Sequence, residues 1–251
     1  MSITFSRHRP VVHDLTLGVL MLDTRFPRFP GEIGNGRTWP VPLQFKVVHG
    51  ATPERVVDGE GEGLLEPFIE AARELVDLGV RGITTSCGFL ALFQRELSAA
   101  LPVPVATSAL LQAPLIEAML PRGRRVGILT FNAGALSERH LAAVGVNPAA
   151  PVEGMPANSL FRRVFSDSAR ADDADFAVLE AEVLQAAGRL VQHHPGTGAI
   201  LCECTNMSPF AAAIRAAIGL PVFDVVSLIR WFVLGLQSGG ASDICMAERR
   251  I

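Results

Sequence analysis

The sequence predicts an α/β protein: two pseudo-symmetric three-layer α/β/α domains with parallel sheets and an active site in the cleft between them. Three observations predict it. Apolar runs of strand length recur, each closed by a Gly/Ser/Thr/Asn cluster and followed by a helical pattern, the alternation that builds parallel sheets with helices on both faces. The chain repeats itself: residues 82–105 lie over 199–226 with Cys87 on Cys204, Ile83 on Ile200, Phe93 on Phe210, Leu97 on Ile214 and Pro104 on Pro221. The 251 residues are 49% apolar and 19% charged, enough for two domains of roughly 100–150 residues and a sizeable core.

Taken in order, strands are expected at 17–22, 82–85, 103–106, 125–130, 198–202 and 220–225. The segment 44–48 is also strand-like. Helices are expected at 64–78, 91–100, 108–119, 136–144, 173–191, 209–218 and 227–236. The first strand, LGVLMLDT, resembles VGILTFNA at the start of the second half, with Gly18 over Gly127 and Asp23 over Asn132. The helix at 173 is opened by Asp172-Asp173-Ala174-Asp175, acids where a helix start favours them. It closes near His193-His194-Pro195, where histidines suit a helix C-terminus.

Composition excludes several function classes. The net charge of −3 gives no basic surface for nucleic acid. The longest apolar run, Val225 to Leu236, contains Arg230 and falls short of the ~20 residues that span a bilayer. With no leader read at the start, a soluble cytoplasmic protein with reduced thiols is expected. Four cysteines, at 87, 202, 204 and 245, fit no zinc spacing. Of 22 basic residues only Lys46 is a lysine, and its segment has no phosphate-binding glycines, which argues against a pyridoxal phosphate Schiff base. No G-x-G-x-x-G or P-loop pattern appears. No cofactor and no metal are expected.

Cys87 and Cys204 carry the chemistry. Each ends a strand and precedes a helix, where the partial positive charge of the helix N-terminus favours thiolate. Two such units facing each other would place two thiols across one small ligand, suited to removing a proton from one face of a carbon and delivering one to the other. Thr85, Ser86, Gly88, Thr205 and Asn206 supply donors for a carboxylate and for charge developing beside it. Cys202 reads as core packing and Cys245 as incidental. Asp23 has a plain reading as a cap or loop residue. The arginines of 25–40 are candidates for a second substrate carboxylate, with solvated loop charge the plainer reading, and that loop is expected to cover the cleft mouth.

These motifs resemble the aspartate/glutamate racemase superfamily, which includes glutamate, aspartate and hydantoin racemases with arylmalonate decarboxylases and maleate isomerases as relatives. The likeness lies in Leu22-Asp23-Thr24, in Thr85-Ser86-Cys87-Gly88, in Cys204-Thr205-Asn206-Met207, and in the strand from Val126 with Phe131-Asn132-Ala133-Gly134. Cys-Gly-Phe at the first cysteine departs from the Cys-Asn-Thr of glutamate racemases, and loop 25–40 replaces a Gly-rich segment. The resemblance implies catalytic Cys87 and Cys204, and substrate-binding Asp23, Thr24, Ser86, Gly88, Thr130, Asn132, Thr205 and Asn206. It implies domains at 1–112 (with 226–251 returning to it) and 113–225, and a homodimer. The expected activity is cofactor-independent racemisation or epimerisation of an amino acid or derivative, by two-cysteine proton transfer on a small-molecule carboxylate. The alternatives are a decarboxylase or cis–trans isomerase of the same superfamily, or a non-catalytic small-molecule binder.

Overall fold

The first apolar run forms β1 (Leu17–Leu22), six buried residues in a row, as a strand covered on both faces requires. The computed structural model describes residues 11–12, 15–166 and 174–236. Asp172, Asp173 and Cys245 lie outside the described residues. Parallel to β1 run β2 (Leu43–Val48) on one side and β3 (Ile83–Thr85) on the other, with β4 (Val105–Ala106) beyond β3. The second sheet contains β5 (Arg125–Thr130), β6 (Val152–Gly154), β7 (Thr197–Cys202) and β8 (Val222–Phe223), again all parallel. The two sheets have the same order, β2-β1-β3-β4 and β6-β5-β7-β8.

The connecting helices are α1 (Leu65–Leu78), α2 (Gln94–Ala100), α3 (Ala113–Met119), α4 (Glu138–Ala143), α5 (Leu160–Ser166), α6 (Phe176–His193), α7 (Ala211–Ile218) and α8 (Val225–Leu236). The repeated glycine of β1 and β5 has a packing reason. A Cβ on Gly18 would come within 2.8 Å of Ile83 and 3.0 Å of Leu75 of α1, and one on Gly127 within 2.9 Å of Leu190 of α6. In each half a helix therefore packs directly on the strand backbone. Asp175 caps α6, accepting from the N–H of Ala177 at 2.9 Å.

Several expected elements change. The helices expected from 91, 108 and 209 begin as 3-10 turns, Gly88–Phe93, Ala109–Gln112 and Thr205–Phe210. The strand expected over 220–225 stops at Phe223 because Asp224 caps α8. The Asp224 carboxylate accepts from the Ser227 N–H at 2.8 Å, and the Ser227 hydroxyl accepts from the Asp224 N–H at 2.9 Å. Of these strands and α-helices, β6 and α5 have no counterpart among the expected ones. β6 has three half-exposed residues, Val-Glu-Gly, and α5 seven, both too short for periodicity to register.

In each half the central strands, β1 with β3 and β5 with β7, have neighbours reached by crossovers in opposite directions. A crevice opens at the carboxyl ends of such strands. Leu22, Thr85, Thr130 and Cys202 end these four strands, and the turns leaving those ends build the site. The expected boundary between 112 and 113 falls where the turn Ala109–Gln112 runs into α3. α8 packs on that turn and on Thr205–Phe210, while its end reaches β3, since a Cβ on Gly82 would lie 2.6 Å from Leu236. Among the described residues no helix is long and apolar enough to cross a membrane.

Candidate active site

Cys87 is held by the end of β3. The Thr85 hydroxyl accepts from the Cys87 N–H at 3.4 Å and donates to the Thr107 carbonyl at 2.6 Å. Ser86 ties the same turn to β1: its hydroxyl accepts from the Leu22 N–H at 3.0 Å and its own N–H donates to the Leu20 carbonyl. The second half repeats the pattern with Glu203 in the place of Ser86, its N–H donating to the Leu129 carbonyl at 2.8 Å. The Thr205 hydroxyl then crosses between the halves to donate to the Ser86 carbonyl at 2.8 Å. One pocket results, lined by both cysteines and by Thr24, Ser86, Gly88, Thr205 and Asn206. Its cavity volume is ≈ 40 Å³.

Three expected site residues stand elsewhere. Asp23 faces away, accepting from the Gly50 N–H at 3.2 Å and pairing with His49 and Arg25. The Gly50 bond, ahead of burial and the cations, holds its carboxyl below the usual range. Thr130 is fully buried and supports the pocket from behind, donating to the Glu203 carboxylate at 2.6 Å. Asn132 accepts from the Gly134 N–H and lines a neighbouring depression with Glu60 and Ser137, which meets the pocket at Val57. Cys202 is wholly buried in the core.

The expected thiolate bias is overturned. Backbone N–H groups of Phe89 and Leu90 do favour the Cys87 thiolate, but burial, then the charge of Glu203, pushes its thiol up to about 12. Burial and Glu203 likewise push Cys204 up, against the N–H of Asn206. A short 3-10 turn offers few aligned dipoles, and desolvation outweighs them. Both cysteines of the free protein are therefore thiols at neutral pH.

Glu203 is the residue that sequence reasoning misses. It is 0% exposed; Thr130 satisfies one carboxylate oxygen, and the other, Oε1, has no hydrogen-bond partner. Burial, opposed only by the Thr130 bond, lifts its carboxyl to about 7. The signal is present in the chain: an acid between two cysteines at the end of an apolar strand. Arg28 also corrects the plain reading of its loop. Its side chain is 18% exposed, lines the pocket, and donates to Glu32 at 2.6 Å and to Thr24 at 2.8 Å. Glu32 is itself buried, which raises its carboxyl against the pull of Arg28. Phe26, Phe89, Phe131 and Phe165 complete the lining. They come from four separate segments, so no motif announces them. Among the described residues no three His, Cys, Asp or Glu side chains are grouped to hold a metal.

Comparison with known proteins fits this geometry to two groups. No family model matches the chain. It is 28% identical over 240 residues to a dimethylsulfoniopropionate lyase of Durusdinium sp. clade D, covering 90% of this chain and 76% of the relative. It is 30% identical over 233 residues to dimethylsulfoniopropionate lyase 7 of Emiliania huxleyi, covering 88% and 67%. Lyase 3 of that organism is also 30% identical, but there the chain spans only 57% of the relative's length. Among solved structures, an unliganded arylmalonate decarboxylase superposes with a TM-score of 0.58 at 16% identity, covering 90% of this chain and 94% of that one. A glutamate racemase isoform of Bacillus anthracis gives 0.59 at 16% identity, covering 90% and 85%. The expected superfamily fold is therefore present.

The expected activity is not. The sequence relatives are lyases, which overturns the reading as an isomerase that racemises an amino acid or its derivative. The physical reason is that two thiols beside a carboxylate site prescribe proton transfer at the neighbouring carbon, while the fate of the electrons left there depends on the substrate. A carbanion returned its proton is a racemised product, and one with a leaving group on the next carbon becomes an alkene. Of the readings made from sequence, the decarboxylase alternative, itself a lyase, comes nearer. The chain belongs to the family of these dimethylsulfoniopropionate lyases, on the fold of the aspartate/glutamate racemase superfamily.

Proposed function

We propose that the protein is a cofactor-independent lyase that cleaves dimethylsulfoniopropionate, or a closely similar β-sulfonium acid, by elimination. The observation that carries this is the match along 90% of the chain to a lyase of that name, together with two cysteines on one pocket. In the reaction a cysteine thiolate takes a proton from the carbon next to the carboxylate. The electron pair of that C–H bond forms the double bond to the β carbon. The β carbon–sulfur bond breaks, its electron pair leaves with sulfur as neutral dimethyl sulfide, and acrylate remains. The thiol then gives its proton to solvent to restore the base.

The asymmetry of the site supports elimination. Glu203 and Thr205 in one half stand where Ser86 and Gly88 stand in the other, so the cysteines have unequal surroundings, as a reaction needing a base on one face permits. The onium end of the substrate also favours its own base, because positive charge brought beside a thiol lowers its pKa. Arg28 and the donors of Ser86 and Asn206 suit the carboxylate. The thiols must stay reduced, which accords with a cytoplasmic location.

The test is release of dimethyl sulfide into headspace gas, with acrylate followed by proton NMR, on purified protein. Wild type is expected to form both in equal amounts. Cys→Ser at the residue that serves as base should lower kcat/KM by about 10²–10⁴-fold. Folded wild type with free thiols that releases no dimethyl sulfide, or Cys87→Ser and Cys204→Ser both at wild-type rates, would sink the proposal.

A further inference from the structure

The pocket joins two features that neither thiol chemistry nor carboxylate binding calls for. One is a wall of phenylalanines from separate parts of the chain. Phe26 follows β1, Phe89 follows Cys87, Phe131 follows β5 and Phe165 closes α5. Phe26 and Phe165 meet edge to face, with centroids 5.1 Å apart and planes at 89°. The other is the unpaired carboxylate of Glu203, fully buried, with Oε1 lacking any hydrogen-bond partner. Among the described residues no ion pair reaches it. The cation that lines the pocket, Arg28, is matched by Glu32 at 2.6 Å, which leaves Glu203 as the pocket acid without a counter-ion.

Buried carboxylates without a counter-ion are costly, and aromatic rings lining the same pocket suit a methylated cation. Two of these rings already face cations of the protein: Arg28 lies 4.5 Å from the Phe26 centroid and Arg162 5.2 Å from that of Phe131. We propose that Phe89, Phe131 and Phe165, with Glu203 behind them, form a subsite for the onium end of the substrate. The ligand class is then a small zwitterion, a carboxylate joined through two carbons to a sulfonium or quaternary ammonium group. Its carboxylate lies toward Arg28 and its methyl groups against the rings. This rests on the lyase reading and adds the group that selects the leaving end.

The test uses two acids of one shape. 3-(Trimethylammonio)propionate carries the cation, and 4,4-dimethylpentanoate replaces its nitrogen with carbon; neither has a sulfonium to release. Apolar burial alone favours the all-carbon acid, so a preference for the zwitterion reports the subsite. By titration calorimetry wild type is expected to bind the zwitterion at least about tenfold more tightly. Glu203→Gln should erase most of that preference. Phe165→Leu should weaken the zwitterion and spare the all-carbon acid. All-carbon acid bound as tightly as the zwitterion, no binding of the zwitterion, or an undiminished preference in folded Glu203→Gln each overturns the subsite. Turnover of dimethylsulfoniopropionate in the same preparations separates the two claims. Zwitterion preference without dimethyl sulfide release sinks the lyase and leaves the subsite; release without preference does the reverse.

Discussion

Glu203 gives one residue two measurable consequences, and the second is in stability. Its carboxyl, lifted by burial from the ordinary 4.5 to about 7, binds its proton more tightly in the folded protein than in the unfolded chain. Below pH 4.5 it is protonated in both states and contributes no pH dependence. Between 4.5 and 7 the unfolded chain ionises while the folded protein holds the proton, so stability falls as pH rises. Above 7 the full cost, about 3 kcal/mol, is in place. Glu203→Gln removes this cost and keeps an acceptor for Thr130. The melting temperature of wild type should therefore drop between pH 5 and pH 8 by several degrees more than that of the variant, since 1 kcal/mol moves a chain of this size by about 2–4 °C. Scanning calorimetry at the two pH values decides it, the other titrating groups being common to both proteins. Parallel pH dependence would show that Glu203 is neutral or solvated throughout.

At the scale of elements, the turn Gly88–Phe93 fixes how the first cysteine meets the second half. Gly88 has an ordinary φ, and close approach explains its lack of a side chain. A Cβ there would sit 2.1 Å from the Glu203 carboxylate and 2.4 Å from the Glu203 carbonyl oxygen. The carbonyl cannot give way, because β7 and the Glu203–Leu129 hydrogen bond hold that backbone. Gly88→Ala is expected to destabilise by about 1–3 kcal/mol and to displace Cys87 from Cys204. Gly134→Ala, whose Cβ would make only an ordinary 3.5 Å contact with Asn132, should leave the melting temperature within a degree or so. Equal melting of the two variants would refute the packing argument. Such contacts mark the limit of what the sequence discloses. The motifs at 85–88 and 204–206 are legible because strand, thiol and donors are contiguous and occur twice. The pairing of Gly88 with Glu203 and the meeting of Phe26 with Phe165 are not legible, because they join segments more than a hundred residues apart. Asp23 and Asn132 are assigned to the site by resemblance, and here local hydrogen bonds turn one to Gly50 and the other to Gly134.

For the molecule as a whole, duplication makes the fold readable and leaves the reaction open. Two sheets of one order bring two thiols to one pocket whatever the reaction, and the leaving group resides in the substrate. What the architecture does demand is a fixed pose of one half on the other. Thr205 is the link nearest the chemistry: its hydroxyl donates to the Ser86 carbonyl, 119 residues away and one residue before Cys87. Thr84 provides the control, since its hydroxyl donates to the Ala106 carbonyl at 2.7 Å within the first sheet, away from the pocket. Thr205→Val and Thr84→Val each leave a buried carbonyl short of a donor, at a cost of about 1–3 kcal/mol, so both should melt a few degrees below wild type. They should differ in catalysis. Loosening the turn of one cysteine against that of the other misplaces base and substrate, and small misplacements cost large factors in rate. Dimethyl sulfide release by Thr205→Val is expected to fall by about tenfold or more in kcat/KM, with Thr84→Val close to wild type. If the two variants lose activity alike, stability alone accounts for the loss, and the bond between the halves has no part in aligning the thiols.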